Sequence, residues 1–180
     1  MKKSILIFLI IFIGVPALTQ INLPGASGVK WLTVEEAEKL MNNSPKPVFI
    51  DTYTDWCGWC KKMDQDTFSD PVIADLLNNK FYPVKFNAEG KEKISFLGQT
   101  FINDGKYGNA HQLAVALLQG QLSYPTVVFL TKEEDKVMVT PIKGYRQAKD
   151  MELFLSYFAD RAYEKLSLDE YQKNFTGKIR

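Results

Sequence analysis

Histidine and cysteine are scarce in this chain: 180 residues hold one histidine, His111, and two cysteines, Cys57 and Cys60. A structural zinc site takes four such ligands, and a cysteine pair with one distant histidine does not supply them. No metal is expected. Covalent haem attachment asks for histidine directly after the second cysteine, and Lys61 stands there. Charge of one sign is also lacking, with 22 Lys and Arg against 21 Asp and Glu. That balance gives no basic stripe for nucleic acid and no polybasic face for an anionic membrane. No internal repeat or low-complexity tract breaks the chain. The apolar stretch Ile5 to Val15 is eleven residues, too short to span a bilayer comfortably as a permanent helix.

That stretch lies between Met1-Lys2-Lys3-Ser4 and Pro16-Ala17-Leu18-Thr19-Gln20. Two lysines, an apolar run and small residues at its end make a secretory signal over 1–19, with cleavage after Thr19. An uncleaved membrane anchor is the minority reading. Without a cysteine near the cleavage site, lipid attachment to a new N-terminal cysteine is excluded. Export, with the bacterial periplasm as the expected destination, sets a cysteine pair in oxidising surroundings among disulfide-bearing proteins. The remaining chain of about 160 residues fits one domain with a full core. Loss of Lys2 and Lys3 leaves 20 basic against 21 acidic residues.

The chain is organised around Asp55-Trp56-Cys57-Gly58-Trp59-Cys60-Lys61-Lys62. Val48 to Tyr53 before it reads as a buried strand, and Lys61 to Phe68 after it, free of Gly and Pro, continues as a helix. A strand that turns tightly into a helix puts Cys57 at the helix N-terminus, where unpaired N–H groups and the macrodipole favour a thiolate. Beside a second thiol, such a thiolate performs thiol–disulfide exchange. The bland alternative is a structural disulfide, but so small a loop removes little unfolded-state entropy.

Upstream, residues 20–30 read as a flexible leader. Thr33-Val34-Glu35-Glu36 then opens a short helix ending near Ser44. Downstream, Asp70-Pro71 caps a helix whose apolar face is Val72, Ile73, Leu76 and Leu77, and Phe81 to Asn87 reads as a second strand. Lys91 to Phe101 reads as helical and Ala110 to Gln119 as a helix with Leu113, Ala114, Leu117 and Leu118 inward. Thr126 to Leu130 and Val137 to Thr140 form a hairpin. Asp150 to Leu166 reads as an amphipathic helix, and 167–180 as a last short helix and tail. The order predicts an α/β fold, a mixed sheet with helices on both faces.

These residues resemble the thioredoxin superfamily over roughly Trp31 to Leu166, in its secreted form with a Cys-Gly-Trp-Cys site. Asp51, six residues before Cys57, matches the family's buried acid, and Lys85 in Val84-Lys85-Phe86-Asn87 matches the lysine that faces it. Tyr124-Pro125-Thr126 matches the strand start where the family keeps a cis-proline opposite the cysteines, and Gly144 a glycine near the active site. The resemblance implies a thioredoxin-like domain over 31–166 with a helical insertion at about 91–120. It also implies catalytic roles for Cys57, Cys60, Asp51 and Lys85. Trp56, Gly58, Trp59, Tyr124, Pro125 and Gly144 would bind substrate. Asp51, in a strand otherwise of Val, Phe and Ile, should be desolvated and raised in pKa, with Lys85 tempering the shift. His111, in the insertion, reads as a surface or packing histidine rather than a catalytic one.

Trp59 departs from the family: thioredoxin has proline there and the disulfide isomerases histidine. Tyr124 is bulkier than the usual residue before the proline. The reading is an exported thiol–disulfide oxidoreductase that reduces or isomerises protein disulfides. It needs no organic cofactor beyond the redox-active Cys57–Cys60 pair. Its partners would be proteins bearing disulfides or thiols and a redox partner that resets the pair, with the chain itself a monomer. The alternatives are an electron carrier for one dedicated partner and a non-catalytic binding module.

Overall fold

Continuous apolar sequence demands burial on both sides, and Val48-Phe49-Ile50 and Val127-Val128-Phe129-Leu130 receive it at the centre of a four-stranded sheet. A computed structural model describes residues 28–44, 46–133 and 136–180. The expected signal segment 1–19 and most of the expected leader lie outside the described residues. Elements follow in the order α1 (Val34–Asn43), β1 (Val48–Tyr53), α2 (Gly58–Asp66), α3 (Pro71–Lys80), β2 (Tyr82–Asn87), β3 (Ile94–Phe96) and β4 (Gln99–Phe101). Next come α4 (Gln112–Leu117), β5 (Thr126–Glu133), β6 (Lys136–Lys143), α5 (Ala148–Ala159), a 3-10 turn at Ala162–Glu164, and α6 (Leu168–Asn174).

The sheet runs β2-β1-β5-β6, with β1 parallel to β2 and β5 antiparallel to both of its neighbours. Side chains alternate across it. Ile50, Val84, Val128 and Leu130 face one core with α1 and α4, while Phe49, Val127 and Phe129 face the other with α2, α3 and α5. Phe158 of α5 stacks on Phe129 with ring centroids 3.9 Å apart. Local chemistry starts the helices: Thr33 and Glu36 form a capping box on α1, and Asp70 caps α3 ahead of Pro71. Pro83 is tolerated because β2 is an edge strand, bridged on its outer side by Leu32.

Three expectations need correction. Lys91 to Phe101 is not helical: β3 and β4 form a separate hairpin, so the insertion is a hairpin followed by one short helix. The turn is Leu97-Gly98, with φ of 50° and 72°, the left-handed pair that a tight hairpin requires. Ile94 and Phe96 point inward at spacing two, a period too short to read in three residues. The helix expected to Leu166 stops at Ala159, because Arg161 adopts φ 53° and the chain turns before Ala162. The leader is not loose to residue 30: Asn78 accepts from Lys30 N–H at 2.8 Å and donates to the Gly28 carbonyl.

The C-terminal residues also return to the domain. Glu152 of α5 is 3% exposed, and its carboxylate accepts from the backbone N–H of Lys178 at 2.6 Å and of Ile179 at 2.9 Å. A Cβ at Gly177 would approach Glu152 Oε2 to 2.5 Å, so a side chain there would push the carboxylate that holds the tail. Among the described residues no helix is long and apolar enough to cross a membrane. Glu152→Ala is expected to release the tail. The amides of Lys178 and Ile179 should then exchange with solvent at least tenfold faster, and stability should fall by about 1–2 kcal/mol. Native-state hydrogen exchange and urea unfolding check both.

Candidate functional site

The sheet topology brings four chain segments to one end. β1 and β2 finish there at Tyr53 and Asn87, β5 begins at Thr126, and β6 finishes at Lys143. The residues just beyond these ends are the cysteine pair, Ala88-Glu89, Tyr124-Pro125 and Gly144-Tyr145. Residues far apart in sequence are thus collected on one rim.

Cys57 is the N-cap of α2, its sulfur accepting from Cys60 N–H at 3.1 Å. Its own N–H donates to the Thr54 carbonyl at 3.1 Å, closing the turn out of β1. The two sulfurs are bonded as Cys57–Cys60. Both residues are buried, at 4% and 2% exposure, so in this oxidised form the sulfurs lie under the rim. Gly58 between them faces open space, where an added Cβ would meet nothing within 4 Å.

Beneath α2, on the β1 face that carries Phe49, lies Asp51. It is fully buried and stands opposite Lys85 across the parallel pair. Lys85 Nζ donates to Asp51 Oδ2 at 2.6 Å, while Asp51 Oδ1 has no partner among the described residues. Burial pushes the Asp51 carboxyl up to about 6, and the Lys85 charge restrains the rise. The expected acid–lysine pair is therefore present, but it is not a simple pair. Lys85 also donates to Asp64 of α2, and its ammonium lies 5.1–5.4 Å from the ring centroids of Tyr53, Trp31 and Phe68. Burial pulls Lys85 down, but Asp51 and Asp64 hold it above the usual lysine range.

The two tryptophans of the cysteine motif are the most exposed large apolar side chains among the described residues, Trp56 at 67% and Trp59 at 59%. Trp56 lies edge-on to Tyr124 at 6.0 Å, and its Nε1–H donates to Glu89 Oε2 at 3.0 Å. Trp59 packs on Tyr145 at 5.3 Å, and Tyr145 O–H donates to Asp66 Oδ2 at 2.9 Å. The Tyr124–Pro125 bond is cis. Gly144, at φ +87°, donates its N–H to the Pro125 carbonyl at 2.8 Å. That carbonyl is taken, whereas the N–H and carbonyl of Tyr124 have no hydrogen-bond partner among the described residues.

His111 is away from the sulfurs. It is wholly buried, caps α4 through Nδ1 and bonds the Glu92 carbonyl through Nε2 at 2.9 Å, a packing role. Sequence reasoning missed Asp64, Glu89, Asp66 and Tyr145. Only Asp64 carried a signal: it follows Cys60 by four residues, one helical turn along the same face.

Several comparisons bear on this arrangement. A family model, Thioredox_DsbH, described as a protein of unknown function, DUF255, matches residues 23–163. The thiol:disulfide interchange protein DsbD of Pectobacterium atrosepticum is 25% identical over 126 residues, 70% of this chain and 19% of that protein. The chain spans about a fifth of the length of the curated relatives it matches. A thioredoxin from Thermus thermophilus superposes with a TM-score of 0.55 at 17% identity, covering 84% of this chain and 100% of that one. A structure titled DsbH oxidoreductase gives the same score and identity over 82% of this chain and 95% of its own. Both likenesses show the thioredoxin fold.

Asp51 gives a pH test. Its folded pKa lies above the unfolded value near 3.8, so the native state binds the extra proton between about pH 4 and 6. Stability falls as pH rises through that window. Asp51→Asn removes the buried charge and leaves Lys85 paired with Asp64. At pH 8 the variant should be more stable than the parent by roughly 2–3 kcal/mol, and the gap should close near pH 4. Urea unfolding at the two pH values measures it.

Proposed function

The chain belongs to the Thioredox_DsbH family, and from that premise we propose that it is an exported thiol–disulfide oxidoreductase acting on protein disulfides through Cys57 and Cys60. One observation carries the reading. The cysteine pair closes as a disulfide at the N-terminus of α2, with Cys57 as the cap, on the sheet rim above a buried carboxyl raised to about 6.

In the reduced form, Cys57 is the thiolate. It attacks one sulfur of a substrate disulfide, that bond breaks, and the second substrate sulfur leaves as a thiolate. Asp51 takes the proton of Cys60. The Cys60 thiolate then attacks Cys57 and expels the remaining substrate sulfur. Two electrons have passed to the substrate, and the Cys57–Cys60 bond holds the oxidised state. Lys85 keeps the Asp51 proton affinity from rising further, and Tyr124 offers its unpaired peptide groups to an extended substrate backbone. Trp56, Trp59 and Gly58 line the approach, and Gly144 secures Pro125. The buried acid shared with a lysine supports reduction or isomerisation over oxidation, because a carboxylate able to deprotonate Cys60 speeds resolution. A thiol-bearing redox partner resets the pair, and a signal over 1–19 supports export to the periplasm.

A second reading has its own support. The match to a limited stretch of DsbD, a thiol:disulfide interchange protein, favours a carrier that passes electrons to one dedicated partner.

Insulin reduction by dithiothreitol tests the first reading. The parent protein should accelerate it, and Cys57→Ser should return the rate to the dithiothreitol background. Equal rates would leave a binding module without turnover. Cys60→Ala should retain substrates as mixed disulfides on Cys57. A broad ladder of trapped proteins fits a general reductase, and a single trapped species with a slow insulin rate fits the carrier.

A further inference from the structure

We propose that Trp59 and Tyr145 form a specificity-determining arm which, with Trp56 and Tyr124, selects extended polypeptide segments whose cysteine is flanked by large apolar or aromatic side chains. The inference rests on the redox reading above and names the substrate class of that same site.

Trp56 and Trp59 each directly precede a cysteine, and each is backed by a tyrosine from a facing loop: Trp56 by Tyr124 and Trp59 by Tyr145. Each arm ends on a carboxylate, Glu89 in the first and Asp66 in the second. Asp66 is fixed in turn by Lys62 at 2.6 Å. The arms diverge across the sheet. Glu89 follows β2, so the Trp56 arm reaches towards that edge, and Tyr145 follows β6, so the Trp59 arm reaches towards the opposite one. The disulfide joins the two cysteines that directly follow these tryptophans.

An indole left in water forfeits the burial that would otherwise stabilise the fold. Here two are left out, at 67% and 59% exposure: Trp56 is held by ring packing and a hydrogen bond, and Trp59 by packing on Tyr145, which is itself hydrogen-bonded to Asp66. Aromatic groups ordered before binding lose little entropy when a ligand covers them. The occupant follows from the surroundings. The unpaired peptide groups of Tyr124 suit an extended backbone. The carboxylates of both arms are already engaged by Trp56, Tyr145 and Lys62, so what the arms offer is ring faces and edges. Asp55 and Glu89 beside Trp56 set negative charge at that rim, which disfavours acidic segments.

The test uses the reduced protein and two linear peptides, each with one cysteine joined by a disulfide to thionitrobenzoate. Phe flanks the cysteine on both sides in one peptide and Ser in the other. Cys57 attacks the peptide sulfur and the coloured thionitrobenzoate leaves. Cys60 then displaces the peptide thiol and forms the protein disulfide, so two electrons leave the protein and two reach the probe. The readout is the ratio of the two release rates, which an altered redox potential or thiol pKa moves little. The parent should favour the Phe peptide about tenfold. The ratio should fall towards one in Trp59→Ala and severalfold in Tyr145→Ala, while Trp59→Phe restores most of it. Equal rates in the parent, or a ratio unmoved by Trp59→Ala and Tyr145→Ala, would overturn the arm and leave the redox reading standing. Release from neither peptide above the Cys57→Ser background would sink the redox reading, and the arm with it.

Discussion

The contact between Lys85 and Asp51 is the constraint around which this site is arranged. An ionised carboxylate taken out of water costs several kcal/mol unless a partner and hydrogen bonds repay it. Asp51 has one partner, through one oxygen, and keeps the other unbonded among the described residues. The result is a group poised between charge states, raised to about 6, rather than a quiet ion pair. Parallel register makes the pairing obligatory, since Asp51 and Lys85 are neighbours across β1 and β2 and project to the same face. Slip the register by one residue and the lysine turns to the opposite core. Asp64 and the rings of Trp31, Tyr53 and Phe68 anchor the ammonium from above. Lys85 is thereby fixed in place while Asp51 alone is left to change its proton.

The cysteines add little to the stability of this frame. A loop closed over so few residues gains little from chain entropy, and the two apolar layers on either side of the sheet hold the fold without it. Freed from a structural duty, the disulfide sits where reactivity is favoured. Cys57 replaces the usual hydroxyl or carboxamide as N-cap and takes the Cys60 N–H onto sulfur. The same donor and the same helix dipole are there for a thiolate when the bond opens.

Much of this was legible in the sequence because it rests on short-range chemistry. The Thr33 box, the Asp70-Pro71 cap, the apolar runs of β1 and β5 and the Cys57-to-helix junction all announce themselves within a few residues. Asp51 and Lys85 were legible only through resemblance to a family, since nothing local says that two strands align them. The β3–β4 hairpin escaped because three-residue strands carry too little period, and Leu97 occupies a left-handed conformation more often given to Gly or Asn. Arg161 hid the end of α5 in the same way. Glu89, Asp66 and Tyr145 gave no signal at all, for each reaches its aromatic partner only through tertiary folding.

The insertion between β2 and β5 is tied to the rim by a chain of contacts that can be followed atom by atom. His111 N–H donates to the Ala88 carbonyl at 2.7 Å, which pins the start of α4 to the end of β2. Asn103, in the loop after the hairpin, gives its amide to the carbonyls of Glu89 at 3.2 Å, Gly90 at 3.0 Å and Asn109 at 2.7 Å. Glu89 is thus held through its backbone by the insertion, and through its side chain it holds the Trp56 indole. A change at the hairpin base or at Asn103 therefore reaches the residue beside Cys57 without touching either sulfur. Since Leu113, Ala114, Leu117 and Leu118 bury the short helix against the same layer as Ile50 and Val84, the brace is as firm as the core it stands on. In this chain the added segment is part of what orients the aromatic rim.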